Sequence, residues 1–109
     1  MAPARTRPLD GRVAVITGGA RGIGRGIALR LARDGAHCVI TYRRSAALAA
    51  AVVEEIGREG VKGLALPLEL AQPSQVPPAF ERIGETFGRV DILVANAAAT
   101  SFRLLMEQK

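Results

Sequence analysis

Apolar residues along the chain follow two alternating rhythms. Short, nearly continuous apolar runs at 12–17, 36–42, 63–70 and 90–96 suit strands that are covered on both faces. Between them the apolar positions recur every three or four residues, the signature of a helix with one buried face. In the first such segment, 22–34, the repeat is Ile23, Ile27, Ala28, Leu31 and Ala32, and Gly35 is placed to end it as a left-handed cap. The second, 46–57, has Ser45 as its N-cap and Leu48, Val52, Val53 and Ile56 as its inner face. Glu54 and Arg58 add an i,i+4 pair on its outer side. The third turns Phe80, Ile83 and Phe87 inward, and Pro77-Pro78 fits only its first turn.

Strand, helix, strand, helix, strand, helix, strand predicts an α/β domain with a parallel sheet. Pro67 falls in the third strand, where proline is tolerated only at a sheet edge or a bulge. In a doubly wound, Rossmann-type sheet of order 3-2-1-4 the third strand is the edge, so the proline supports that order. Residues 1–8 carry two prolines and two arginines and read as a disordered leader; 9–109 reads as one domain without repeats. The last residues, 104–109, break off inside a helical pattern with no stop signal. The expectation is the N-terminal part of a longer fold, lacking its C-terminal strands.

The first strand runs into a glycine turn, Thr17-Gly18-Gly-Ala-Arg21-Gly22-Ile23-Gly24, and restarts as a helix. Such a turn leaves backbone N–H groups unpaired beside the positive end of a helix dipole, which makes a site for phosphate. Glycine is required because a Cβ would keep a pyrophosphate away from the backbone. The spacing Gly18-x3-Gly22-x-Gly24 is not G-x-G-x-x-G. It is not a P-loop either, since Arg25 and Gly26 stand where Lys and Ser/Thr are needed.

This segment resembles the cofactor-binding signature of the short-chain dehydrogenase/reductases, and the resemblance runs from Leu9 to about Met106. In an open parallel sheet the ligand lies beyond the carboxyl ends of the strands. A cofactor site is therefore expected at Gly18, Arg21, Gly22, Ile23 and Gly24, at Tyr42, Arg43 and Arg44, at Glu69 and Leu70, and at Asn96 and Ala97. An acid after the second strand would bind the ribose 2′-hydroxyl of NAD. No acid occurs between Cys38 and Ala51, whereas Arg43, Arg44 and Arg21 can grip a 2′-phosphate, so the expected cofactor is NADP. The resemblance implies further roles. Glu69 stands where the family usually has an Asp facing the adenine amino group. Asp91-Ile-Leu-Val-Ala95-Asn96-Ala97-Ala98 is similar to the family's N-N-A-G stretch, with Asn96 steadying neighbouring backbone. Ala98 in place of Gly gives the segment a flavour of enoyl-thioester reductase-like members, beside a ketoreductase-like reading.

Composition narrows the rest. The chain has 109 residues, about half apolar, with fifteen basic against ten acidic side chains and a net charge of +5. The arginines are scattered without aromatic interleaving, so no nucleic-acid partner is expected. No apolar run is long enough to span a bilayer, and a cytoplasmic location with no membrane partner is expected. Cys38 reads as a buried, inert thiol. His37 has no companion with which to hold a metal, so no metal site is expected.

The family's hydride chemistry uses a Tyr-x3-Lys pair with a Ser, in which the lysine lowers the tyrosine pKa. The single tyrosine here, Tyr42, is followed four positions on by Ala46, and Lys62 and Lys109 are out of register, so no catalytic residue is assigned. Three readings follow. The chain is the NADP-binding part of a reductase whose full-length form takes a small-molecule carbonyl, alcohol or activated alkene and forms an oligomer. Alternatively it is a catalytically inactive NADP-binding or regulatory module that pairs with another protein. The third reading is the product of an interrupted frame that barely folds.

Overall fold

The computed structural model describes residues 7–69 and 72–96. Its elements are β1 (Val13–Thr17), α1 (Gly22–Arg33), β2 (His37–Tyr42), α2 (Ala46–Arg58), β3 (Gly63–Pro67), a single 3-10 turn (Pro73–Gln75), α3 (Val76–Phe87) and β4 (Ile92–Ala95). The four strands form one parallel sheet of order β3-β2-β1-β4, as the position of Pro67 suggested. Register runs from Val13 opposite His37 to Ile16 opposite Ile40, and from Ala14 opposite Ile92 to Thr17 opposite Ala95. β1 therefore lies inside the sheet and every one of its residues is buried.

Strand residues point alternately to the two faces, and each face has its own core. Ala14, Ile16, Cys38 and Ile40 meet the α1–α2 layer through Ala28, Ala32, Ala49, Val52 and Ile56. Val15, Val39 and Leu66 meet Ile83 of α3 on the opposite face, with Phe80 and Phe87 partly buried beside them. Helices on both faces of a parallel sheet explain why the strands read as continuous apolar runs. Arg25 joins α1 to α2 through a forked ion pair with Glu55. Glu54 and Arg58 form the expected i,i+4 pair at 3.1 Å. Burial pushes the Cys38 thiol up to about 12, consistent with an inert core thiol.

The structure corrects several details. Leu48 is 44% exposed, and Ala49 takes the inward place because it lies in helical phase with Val52 and Ile56. Ser45 is the N-cap of α2, but its hydroxyl makes no capping bond; only its carbonyl accepts, from the Ala49 N–H. Ile23 is 76% exposed: it sits in the first turn of α1, away from the Ala28 and Ala32 core. The third strand ends at Pro67, after which Leu68 packs on Val76 beside the 3-10 turn. β4 is shorter than the apolar run, since Val90 is 40% exposed and Asp91 acts as an anchor before the strand begins. The first six residues of the expected leader lie outside the described residues. Arg7, its seventh, donates to the Glu59 carbonyl at 2.8 Å.

Asp91 fastens β4 to β1. Its N–H donates to the Val13 carbonyl at 2.8 Å, and its Oδ2 accepts the Val13 N–H at 2.8 Å. Oδ1 accepts from Arg89, and the Arg12 guanidinium stands 3.6 Å away. The Arg89 bond, then the Val13 N–H, hold this carboxyl below the usual carboxylate range. A depressed folded-state pKa adds stability that is present above the unfolded value and is lost as pH falls through the folded one. Asp91→Asn is therefore expected to lower the urea midpoint at pH 7. The gap from the parent should close as pH drops below about 4, read by circular dichroism. A gap that stays constant with pH would remove the ionised anchor from the account.

Candidate functional site

The carboxyl ends of β1 and β2 open on the same side of the sheet, and the turn between β1 and α1 is built across them. Gly18 has φ +67° and Gly22 φ +61°, left-handed values that glycine adopts without strain. Thr41, near the end of β2, clasps this turn: its Oγ1 accepts the Gly18 N–H at 3.2 Å, and its carbonyl accepts the Gly19 N–H at 3.2 Å. Gly19 lies on Ile40, where a Cβ would stand 2.5 Å from Cγ2. Gly24 packs beneath the Gly18 carbonyl. A Cβ there would overlap that oxygen and stand 2.5 Å from Asn96 Nδ2.

From β4, Asn96 closes the other side. Its N–H donates to Thr17 Oγ1 at 2.9 Å, Thr17 Oγ1 donates to the Val94 carbonyl at 3.4 Å, and Asn96 Nδ2 donates to the Gly18 carbonyl at 3.4 Å. Asn96 thus bonds neighbouring backbone, in the way the resemblance implied. Three strand ends and the first turn of α1 are gathered on one short stretch of chain.

Arg21 is the N-cap of α1, in extended conformation with no side-chain capping bond, and the first helical turn holds no acid. Its N–H groups and the positive end of the helix dipole therefore face outward uncompensated by side chains. Around Gly22 nothing lies within 4 Å of where a Cβ would be, so an anion can approach the backbone. Beside the turn lies an open cavity of about 260 Å³ lined by Gly18, Arg21, Tyr42, Arg43, Arg44 and Ser45, among others, and by no acidic side chain. Pockets that enclose a whole ligand measure about 300–1,000 Å³, so this one has room for one end of a dinucleotide. Across from it Arg43 Nε donates to Glu69 Oε2 at 2.7 Å.

The cofactor-site residues read from sequence are therefore brought together where described: Gly18, Arg21, Gly22, Ile23 and Gly24 in the turn, Tyr42, Arg43 and Arg44 on the cavity wall, Glu69 against Arg43, and Asn96 under Gly18. Leu70 and Ala97 lie outside the described residues. Sequence reading missed Thr41. It is 3% exposed and looks like one more β-branched strand residue; its pairing with Gly18 is visible only in the fold. Ala20 and Ser45, also on the cavity wall, carry no distinguishing signal. Among the described residues no cluster of His, Cys, Asp and Glu could hold a metal, and no helix is long and apolar enough to cross a membrane.

The family model for short chain dehydrogenases matches residues 12–109. The chain belongs to that family. It is 44% identical over 91 residues to a tetrahydroxynaphthalene reductase of Pestalotiopsis fici, covering 84% of this chain and 33% of the relative. It is 43% identical over 96 residues to a 3-oxoacyl-[acyl-carrier-protein] reductase of Staphylococcus epidermidis, covering 88% of this chain and 39% of that enzyme. A short chain dehydrogenase from Burkholderia cenocepacia, solved in complex with NADP, superposes with TM-score 0.79 at 49% identity, over 82% of this chain and 36% of the other. A blue fluorescent protein from a metagenomic library, solved with NADPH, gives TM-score 0.75 at 42% identity, over 78% and 35%. The short-chain dehydrogenase chain described here thus spans between a third and two fifths of the length of these curated relatives.

The close approach at Gly24 gives a direct test of the site's construction. The obstacle is backbone, so Gly24→Ala is expected to cost about 1–3 kcal/mol of stability, as overpacking does elsewhere. Urea unfolding measures it. Gly26→Ala, in the same helix with open space around it, serves as the control and should be neutral or slightly stabilising.

Proposed function

We propose that this chain is the NADP-binding portion of a short-chain dehydrogenase/reductase whose full-length form transfers hydride between NADPH and a small-molecule carbonyl, alcohol or activated alkene. The observation that carries the reading is the cavity at the end of β2, walled by Arg21, Arg43 and Arg44 and free of acidic lining. A ribose 2′-hydroxyl is bound by an acid, whereas a 2′-phosphate calls for guanidinium groups that donate in pairs. NADP complexes among the solved relatives support the choice.

The bound cofactor would supply the nicotinamide ring that gives or takes hydride. This chain's own residues serve to bind and orient. Backbone N–H groups at Gly22, Ile23 and Gly24 receive the pyrophosphate, and Arg43 and Arg44 take the 2′-phosphate. Tyr42 walls the adenosine end, and exposed Ile23 offers the cofactor an apolar contact. Glu69 would border the adenine, and Asn96 the ribose nearer the reacting ring. Proton transfer is assigned to a Tyr-x3-Lys pair outside these 109 residues, since Tyr42 is followed at the fourth position by Ala46.

A second reading, a catalytically silent NADP-binding module that pairs with another protein, draws on Val90 and Leu93, 40% and 39% exposed at and beside β4. The coding DNA beyond the Lys109 codon separates the two. An in-frame continuation containing Ser and Tyr-x3-Lys supports the reductase, and an immediate stop removes the enzyme reading. The cofactor assignment has its own test. Arg43→Glu with Arg44→Ala is expected to weaken NADPH binding about tenfold or more relative to NADH, since a bond to a charged group contributes about 1.5–3 kcal/mol. Fluorescence titration of both cofactors measures it, and an unchanged ratio would put the 2′-phosphate elsewhere.

A further inference from the structure

The contact between Arg43 and Glu69 joins the end of β2 to the chain just past β3, and its two partners are unequal. The Arg43 side chain is 63% exposed, whereas that of Glu69 is 28% exposed. Glu69 is also the better fixed. Its N–H donates to Gln75 Oε1 at 2.9 Å, Gln75 Nε2 donates to Gln72 Oε1 at 2.8 Å, and the Gln72 N–H donates back to the Glu69 carbonyl at 2.9 Å. The Glu69 backbone is thus tied to Gln72 and Gln75, and its carboxylate reaches Arg43. The bond to Glu69 uses the Nε–H of Arg43. A guanidinium carries four further N–H donors on its two terminal nitrogens.

We propose that Glu69 is a positioning residue for Arg43: it holds the guanidinium by Nε at the cavity mouth, so that the terminal N–H groups meet the 2′-phosphate of NADP. The inference rests on the NADP reading above and deepens it, because it names what sets the preference for the phosphorylated cofactor. A long exposed side chain that is already held loses less freedom when the ligand arrives. The carboxylate also repels the phosphate. The two anions would lie against different edges of the guanidinium in an open, water-filled mouth, however, where screening leaves orientation as the larger effect. The length of the side chain matters here. An aspartate would fall short by one methylene, about 1.5 Å, which turns a 2.7 Å bond into a gap.

The test uses the 109-residue chain, its Glu69→Asp and Arg43→Ala variants and the double variant, with NADPH and NADH titrated by fluorescence. For Glu69→Asp the NADPH-to-NADH affinity ratio is expected to fall about two- to fivefold, the range of a partly exposed charged contact. In the Arg43→Ala background the same change should leave the ratio where it is. A ratio that does not move, with both cofactors weakened alike, would leave Glu69 with the adenine alone and overturn the proposal, as would a rise in the ratio. A parent chain with no preference for NADPH would sink the NADP reading first, and the inference with it. A readout without cofactor stands beside these: the Nε–H resonance of Arg43 in a 15N spectrum should be shifted and protected from exchange in the parent and lose both in Glu69→Asp. A resonance that is the same in both would overturn the positioning role even if the variant binds weakly.

Discussion

The site depends on how closely α1 can approach the end of β1. Gly24 lies beneath the Gly18 carbonyl with no room for even a methyl group, and Asn96 reaches the same oxygen from β4. That contact sets where the first turn of α1 begins and where its uncapped N–H groups point. Thr41 clasps the turn from β2, so strands on both sides of β1 hold one stretch of backbone. A phosphate site of this kind is made of backbone, and its precision comes from packing.

The layered plan was legible in the sequence because the central strands β1 and β2 are buried on both faces and each helix on one, which gives the two apolar rhythms distinct periods. Pro67 even supplied the strand order, since only an edge could take it. The glycine spacing and the absence of acids after Cys38 pointed to the turn and cavity that form the candidate site. What escaped were features that depend on neighbours distant in the chain. Thr41 is an ordinary strand residue until it meets Gly18. Leu48 and Ile23 look like core residues until the phase of each helix against the sheet is known. Glu69 is one more carboxylate near a sheet edge until it is seen against Arg43. Asp91 looked like part of the β4 motif, and its position opposite Val13 makes it the pin between two strands.

The two faces of the sheet are packed by different means. On the α3 side, Val15, Val39 and Leu66 meet Ile83, Phe80 and Phe87, large side chains that fill space and tolerate adjustment. On the other side the fully buried helix residues include Ala28, Ala32 and Ala49, beside Ala14 in β1. The fully buried residues of α1 are all small, Gly24, Ala28 and Ala32, which lets α1 run close to the strands.

The alanines of α1 work as a spacer that sets how closely its first turn approaches the end of β1. A bulkier side chain at Ala28 or Ala32 would lift α1 as a rigid rod, and the lift would reach its first turn, where the backbone donors are aimed. The interior of this domain and the turn after β1 are therefore one mechanical part. Sequence drift in the core, well away from the arginines, is a route by which cofactor affinity can be retuned without touching a residue that contacts the cofactor.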